Sequence, residues 1–200
     1  MAELTNRQQE IMQCALDVIA ESGVQALTIK SIAQKMGMTE AALYRHFESK
    51  FEILASIVDY FAALGMDNIR KAVAQQATAT EKLEAIIVER FRIISENKAL
   101  ICMITDEEIF KHEKKLFDKM IAIHNESYAI IKNIIIEGQQ NGEFRDDIQP
   151  RYFFNAIIGA FQFIGKKWKH HIEEFKWEDE VTNQWIAMKK MMKPVAKDTK

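Results

Sequence analysis

The chain has 200 residues, of which 48% are hydrophobic, and its formal net charge is -2. A chain of this length and apolar content can bury a core without disulfides or metals, so intrinsic disorder is not expected. The charge balance shows no overall basic footprint for nucleic acid, and acids slightly outnumber cations even within residues 1–50. Any argument for DNA binding must therefore rest on where individual charges lie.

The two cysteines, Cys14 and Cys102, lie far apart in helical patterns and match no metal-ligand spacing. We predict that both are reduced core residues, and we expect neither a metal nor a cofactor. The first residues lack the pattern of a signal peptide, and no segment approaches the ~20 apolar residues of a membrane span. These features predict a soluble cytoplasmic protein with no membrane partner.

Glycine and proline are scarce, and no stretch alternates apolar with polar residues as strands do, so the chain is predicted to be all-α. The first helix begins after Thr5, which forms a capping-box pattern with Gln8, and ends at Gly23. Its apolar positions, from Ile11 to Ile19, repeat at helical spacing.

Two short helices follow, joined by a turn that contains glycine. Thr28 is the predicted cap of the first, which Gly37 ends after barely two turns, and Thr39 is the predicted cap of the second. Ser49, with Glu52 three residues later, then opens the next helix. Two short helices joined in this way predict a helix-turn-helix.

The remaining helices are longer and carry apolar stripes. The helix from Lys50 is expected to continue past Gly65, and the next, capped by Thr80 or Thr78, to end near Asn97. Further predicted elements are a short helix at 100–104, a segment from a capping box at Thr105 toward Gly138, a stop at Asn141-Gly142, a helix from Pro150 and a last helix from Trp177.

The second short helix has the composition of a DNA recognition helix. Short side chains at its start let the backbone approach the floor of a groove, and longer polar side chains follow one turn later. The short set is Thr39, Glu40, Ala41 and Ala42, and the longer set is Tyr44, Arg45 and His46.

Thr28 and Lys50 lie at the N-termini of two neighbouring helices, where unpaired N–H groups and the helix dipole favour a phosphate oxygen. Such contacts would fix the register of the recognition helix on the duplex. Each residue alone also has a plainer interpretation, as a cap, a core residue or part of a solvated face. It is the combined spacing that favours DNA binding.

One segment resembles the DNA-binding module of the TetR family of bacterial repressors. It is Leu43-Tyr44-Arg45-His46-Phe47 followed by Ser49-Lys50, with Ile32-Ala33 and Gly37 upstream, and the resemblance extends from about Thr5 to Leu54. It implies DNA contacts at Thr28, Lys30, Thr39, Glu40, Ala41, Tyr44, His46 and Lys50.

The segment departs from the family pattern at two places. Met38 stands where a valine is common, which is expected to change packing only. Ala41-Ala42 stands where glycine or a hydroxyl residue is frequent, so base readout is expected to depend on Tyr44, Arg45 and methyl contacts from the alanines.

The resemblance also implies the domain organisation. We expect an N-terminal three-helix helix-turn-helix DNA-binding domain at residues 1–50. A larger helical ligand-binding and dimerisation domain is expected at residues 51–193, with a flexible tail at residues 194–200.

A homodimer interface is implied for the last two helices. The turn from Asn141 to Asp147 resembles the one that precedes the first dimerisation helix in the family. The helices from Pro150 to about Glu173 and from Glu178 to about Met192 are therefore expected to pair with their copies. The interface candidates are Phe154, Ile158, Phe161, Gly165, Trp168, Trp185 and Met188.

Aromatic and methionine side chains in the second half are candidates for a ligand pocket, although the same pattern is typical of a plain core. A ligand of such a pocket would be largely apolar. The candidates are Phe91, Ile94, Met103, Phe110, Phe117, Met120, Tyr128 and Phe154.

We predict a ligand-responsive repressor that binds a palindromic operator in double-stranded DNA as a homodimer and is released by a small, largely apolar effector. A DNA-binding scaffold or activator without a ligand is the alternative. An all-helical enzyme is a remote one, and we expect no catalytic residues. A di-iron bundle needs Glu-x-x-His pairs, and no histidine here has a glutamate three residues before it.

Overall fold

The computed structural model describes residues 4–105, 114–170 and 176–195, and all regular structure in these ranges is helical. The all-α prediction is therefore confirmed. The helices are α1 (Asn6–Ser22), α2 (Ile29–Lys35), α3 (Glu40–Tyr44), α4 (Lys50–Ala74), α5 (Ala79–Glu96), α6 (Lys98–Ile104), α7 (Lys114–Gln140), α8 (Pro150–His170) and α9 (Trp177–Met192), with a 3₁₀ turn at Val24–Ala26. The predicted capping box after Thr105 extends outside the described residues, as does the end of the predicted tail.

The chain forms two compact units. The first combines Met1–Leu64 with Ile94–Ile123, and the second combines Gly65–Ile93 with His124–Lys200. The helices α4, α5 and α7 each contribute residues to both units. The units therefore do not correspond to single stretches of sequence, and the domain boundary expected at residue 50 stays a prediction.

In the first unit, α2, α6 and the 3₁₀ turn pack against α1, and α3 packs against α2. Ile11, Ala15 and Ile19 on one face of α1 are fully covered. Each isoleucine so buried contributes about 2 kcal/mol of stabilisation. Cys14 and Cys102 are also buried, and burial raises the pKa of the Cys14 thiol, which disfavours a reactive thiolate.

In the second unit, α5, α7, α8 and α9 share one apolar cluster with the end of α4. Its members include Ile69, Leu83, Ile86, Phe91, Ile131, Ile135, Phe153, Phe154, Ile157, Val181 and Trp185. Ion pairs lie at its edge, where Lys82 Nζ is 2.6 Å from Glu137 Oε1 and Lys189 Nζ is 3.1 Å from Glu84 Oε2. These pairs link α5 to α7 and to α9.

The turn after α7 folds back onto α5. The Glu143 carboxylate accepts hydrogen bonds from the backbone N–H groups of Ala79 and Thr80, both at 3.0 Å, and from the Thr80 hydroxyl at 2.9 Å. Burial would raise the pKa of Glu143, but the hydrogen bonds from Thr80 and Ala79 outweigh it and lower the pKa. The Thr78 hydroxyl accepts from Glu81 N at 3.2 Å, so α5 has two caps.

Gly138 allows this turn to pack closely. The helix α7 passes through Gly138 and ends at Gln140, just before Gly142 with its φ of +74°. A Cβ atom at Gly138 would lie 2.2 Å from Cδ2 of Phe144 and 3.0 Å from Cβ of Ala79. The absent side chain is therefore a packing requirement, and the helix stop follows at Asn141-Gly142 as the sequence predicts.

Candidate DNA-binding surface

The helix α2 is fixed at both ends by local hydrogen bonds. Thr28 Oγ1 accepts from Ser31 N at 2.9 Å, and Thr28 N donates to Ser31 Oγ at the same distance. At the other end, Gly37 has a φ of +64°, and Met38 N donates to Ala33 O at 2.9 Å. This bond closes a Schellman motif, which sets the direction in which the chain enters α3.

The helix α3 is held from one side only. Thr39 Oγ1 caps it by accepting from Ala42 N at 3.1 Å. Leu43 and Phe47 face the core of the first unit, where both side chains are almost fully buried. Since α3 has barely more than one turn, these two anchors fix which of its faces remains open.

The open face of α3 carries the side chains predicted to read DNA. Tyr44 is 51% exposed, and Glu40, Ala41 and Arg45 are exposed as well. Ala42 and His46 are half-buried beside them, and Thr28, Lys30 and Thr39 are exposed. All of these predicted contact residues are thus accessible or half-buried, and their contacts with DNA stay a prediction.

Two cations among the predicted contact residues form no ion pair within the described residues, whereas the nearby Lys35 does. Lys30 and Arg45 are exposed and have no ion-pair acid among the described residues. By contrast, Lys35 Nζ lies 2.7 Å from Glu21 Oε1, and that hydrogen bond raises the pKa of Lys35. Lys30 and Arg45 therefore have their full hydrogen-bonding capacity available for phosphate.

Lys50 begins α4 and is half-buried, with its Nζ 5.4 Å from the centre of the Phe51 ring. Ser49 caps the same helix, because its hydroxyl accepts from Glu52 N at 3.2 Å. The charge at Lys50 thus lies at a helix N-terminus, as predicted from the sequence, where it would add to the field of the helix dipole.

Gln8 contributes a contact that sequence reasoning missed. Its Nε2 donates to the backbone oxygen of His46 at 3.0 Å and so ties α1 to the end of α3. The sequence assigns Gln8 only to the capping box with Thr5, which it also forms. A partner 38 residues away gives no periodic signal, so only the folded chain reveals it.

The pocket candidates fall in both compact units. Phe91 and Phe154 are buried in the apolar cluster of the second unit, and Tyr128 is partly buried with its ring centre 5.0 Å from that of Phe154. The candidates in the first unit are Ile94, Met103, Phe117 and Met120, of which Met103 is buried and Phe117 exposed. Phe110 lies outside the described residues. The pocket assignment stays a prediction.

The interface candidates are mostly covered by their own unit. Phe154, Trp168, Trp185 and Met188 are buried, as is Gly165, while Ile158 and Phe161 are half-buried. A side chain that its own unit covers has little area left for a second copy. The assignment of these residues to the interface stays a prediction. The large apolar side chains exposed on α8 and α9 are Tyr152, Phe163, Ile186 and Met191.

The described residues contain neither a candidate metal cluster nor a helix that could cross a membrane. Within them, no group of three or more His, Cys, Asp or Glu side chains is placed to hold a metal ion. None of the helices described is both long and apolar enough to span a bilayer.

The chain matches known proteins along most of its length. Residues 11–57 match the family described as bacterial regulatory proteins, tetR family, and residues 61–190 match the family described as YsiA-like protein, C-terminal region. The fatty acid metabolism regulator protein of Bacillus subtilis (strain 168) is 25% identical over 168 residues, which are 84% of this chain and 86% of that protein.

One curated repressor and one solved structure are also similar to this chain over most of its length. The HTH-type transcriptional repressor KstR2 of Rhodococcus jostii (strain RHA1) is 25% identical over 153 residues, 76% of this chain and 75% of that protein. The crystal structure of the regulator FadR from Bacillus subtilis in complex with stearoyl-CoA has a TM-score of 0.78 at 22% identity and covers 90% of this chain and 96% of that one. The chain shares the fold of that structure.

Proposed function

The chain belongs to the TetR family of bacterial regulatory proteins and is a DNA-binding transcriptional regulator, and from this premise we propose that it represses its target genes as an effector-released homodimer. In the proposal, the dimer binds a palindromic operator in the cytoplasm, and no catalytic step takes part. An apolar effector shifts the dimer toward a form whose recognition helices no longer match successive major grooves.

The observation that carries the DNA-binding part is the division of α3 into two faces. Buried Leu43 and Phe47 hold the helix, while exposed Tyr44 and Arg45 are left for base edges. In the proposal, Lys30 and Lys50, at the start of α2 and α4, bind phosphate on either side of the groove that α3 reads. The remaining predicted contacts, at Thr28, Thr39, Glu40, Ala41, Ala42 and His46, complete this surface.

The test requires an operator, which sequencing of genomic fragments selected by the purified protein would supply. We expect Tyr44→Ala to weaken operator binding about tenfold or more without unfolding the protein. Lys50→Ala should weaken binding to the operator and to nonspecific DNA alike. The slope of the logarithm of the binding constant against the logarithm of the salt concentration should decrease in magnitude by about one. Lys71→Ala, which removes an exposed cation of α4 that belongs to the second unit, is the matched control. Wild-type binding by both Tyr44→Ala and Lys50→Ala would contradict the site assignment.

For the homodimer, we propose the exposed apolar stripe of α8 together with the outer face of α9. Tyr152 and Phe163, 57% and 64% exposed, lie on the side of α8 where Gly159 is also exposed. Exposed apolar side chains at helical spacing are typical of helix pairing between subunits. Phe163→Glu should give monomers in sedimentation equilibrium, whereas Val88→Glu, an equally apolar exposed site on α5, should not. Dimers that survive Phe163→Glu would place the interface elsewhere.

For the effector, we propose a long-chain acyl compound. The second unit is built around a large apolar cluster, which suits an apolar chain, and the related FadR structure contains stearoyl-CoA. Addition of oleoyl-CoA to the protein bound to its operator should release the DNA, which fluorescence anisotropy measures. If no compound in a panel of acyl and steroid thioesters releases it, the protein acts as a scaffold or activator without such a ligand.

A further inference from the structure

One arginine of the second unit, Arg90, has no acid partner among the residues that the structure describes. Arg90 lies on α5, four residues after buried Ile86 and three after buried Ile87, so helical periodicity places it on the core-facing side. Its Nη1 nitrogen is shielded from solvent and has no hydrogen-bond acceptor among the described residues. Burial lowers the pKa of Arg90, which reflects the cost of holding a charge in this environment.

Three other cations of this unit form ion pairs with acids on neighbouring helices. Lys82 is paired with Glu137, Lys189 with Glu84, and Arg70 with Glu126 at 2.9 Å. These pairs are partly exposed, where pairing contributes little to stability. Arg90, whose Nη1 is shielded from solvent, has no acid partner in the described part of the chain, although a partner matters most for a charge that is removed from water.

A second polar group in the same core is also unsatisfied. Ser127 on α7 is 5% exposed, and its hydroxyl has no hydrogen-bond partner among the described residues. Ile131, four residues later on the same face of α7, belongs to the apolar cluster, to which α5 also contributes residues. Its neighbours His124 and Tyr128 both place their rings 5.0 Å from the ring of Phe154 in that cluster.

We propose that Arg90, assisted by Ser127, is the anion-recognition subsite of the effector pocket. The effector is then an amphiphile whose apolar chain packs within the cluster of the second unit and whose carboxylate or phosphate oxygen accepts hydrogen bonds from Arg90. A guanidinium presents paired N–H donors that suit such oxyanions, and the anion supplies the missing counter-charge. This inference rests on the proposed function, since it assumes that the second unit binds the effector.

The test compares three probes with the same C18 chain: oleate, oleyl alcohol and oleoyl-CoA, each below its critical micelle concentration. Dissociation constants are measured by intrinsic tryptophan fluorescence with the full chain. Wild type should bind oleate or oleoyl-CoA at least about tenfold more tightly than the neutral alcohol, because a charged hydrogen bond forms only with the anions. The two anionic probes separate a carboxylate from a phosphate as the bound group.

Arg90→Met should abolish this preference and leave the melting temperature of the ligand-free protein equal or higher, because it removes an unpaired charge and keeps the side-chain volume. Arg90→Lys should retain part of the preference. Arg92→Met, two residues from Arg90, removes an exposed arginine that is paired with Glu89 and should leave the preference unchanged. A merely structural arginine would instead lower the melting temperature in Arg90→Met and leave the preference intact.

The outcomes separate this inference from the proposed function. Equal binding of the alcohol and the anions by wild type, with operator release by all of them, would overturn the subsite and keep the effector-released repressor. The subsite is also overturned if the Arg90→Met variant still prefers the anions. If that variant does not fold, an undiminished preference in Arg90→Lys has the same meaning. Binding of none of the probes would overturn the proposed effector class and the subsite together.

Discussion

The helix-turn-helix and the core of the second unit depend on contacts of very different range. In the former, each helix end is set within five residues, as with Thr28 and Ser31 or Ala33 and Met38. In the latter, Glu143 caps a helix that begins 64 residues earlier. Local hydrogen bonds leave a readable sequence pattern, whereas long-range ones do not. The helix boundaries of the helix-turn-helix can therefore be predicted largely from the sequence, whereas the caps and packing of the second unit depend on the fold.

The largest expected effect tests the division of α3 into a buried and an open face. Phe47→Ala should lower the free energy of unfolding by about 3–5 kcal/mol, because it leaves a cavity where the side chain is 2% exposed. Tyr44→Ala, three residues earlier and half exposed, should change it by less than about 0.5 kcal/mol. Urea denaturation followed by circular dichroism measures both. Equal destabilisation by the two variants would show that Tyr44 is also a core residue.

The same contrast explains what the sequence predicts and what it leaves open. Caps and glycines give both ends of α1 and α2 and the start of α3. At the start of α5 the sequence leaves Thr78 and Thr80 as alternatives, and the structure selects Thr78, whose hydroxyl accepts from Glu81 N, whereas the Thr80 hydroxyl donates to Glu143. Spacing alone cannot assign an apolar helix face to the subunit core or to a second copy, since both environments exclude water. For this reason the predicted interface on α8 includes buried Phe154 and Trp168.

The second largest expected effect tests how closely the turn after α7 packs on that helix at Gly138. The sequence does not indicate this close packing. Gly138→Ala should lower the free energy of unfolding by about 2 kcal/mol, because the new Cβ would overlap the Phe144 ring. Gly65→Ala is the matched control: its Cβ would meet only Ile93 Cδ1 at 3.8 Å, so better helix propensity should stabilise the protein by up to about 1 kcal/mol. Thermal unfolding measures both, and a stable Gly138→Ala would mean that Phe144 can move away without cost.

A smaller effect tests whether the caps of the helix-turn-helix act locally. Thr39→Ala removes the acceptor for Ala42 N and should cost about 1 kcal/mol of stability. Thr39→Ser keeps the hydroxyl and should recover most of that loss. Chemical denaturation gives both values. If serine and alanine destabilise to the same extent, the threonine methyl group rather than the cap is what stabilises α3.

The smallest effect tests the long-range cap at Glu143 and depends on pH. Because the folded protein lowers the pKa of Glu143, the carboxylate stabilises the fold above its unfolded pKa, and that stabilisation is lost as the pH falls through the folded value. At neutral pH, Glu143→Gln should therefore cost about 0.5 kcal/mol relative to wild type, and the difference should vanish in acid. Asp146→Asn, an exposed acid in the same turn, should show neither effect. Melting temperatures measured from pH 7 to pH 3 provide the comparison, and a Glu143→Gln deficit that persists unchanged in acid would mean that the side-chain shape, not the charge, caps α5.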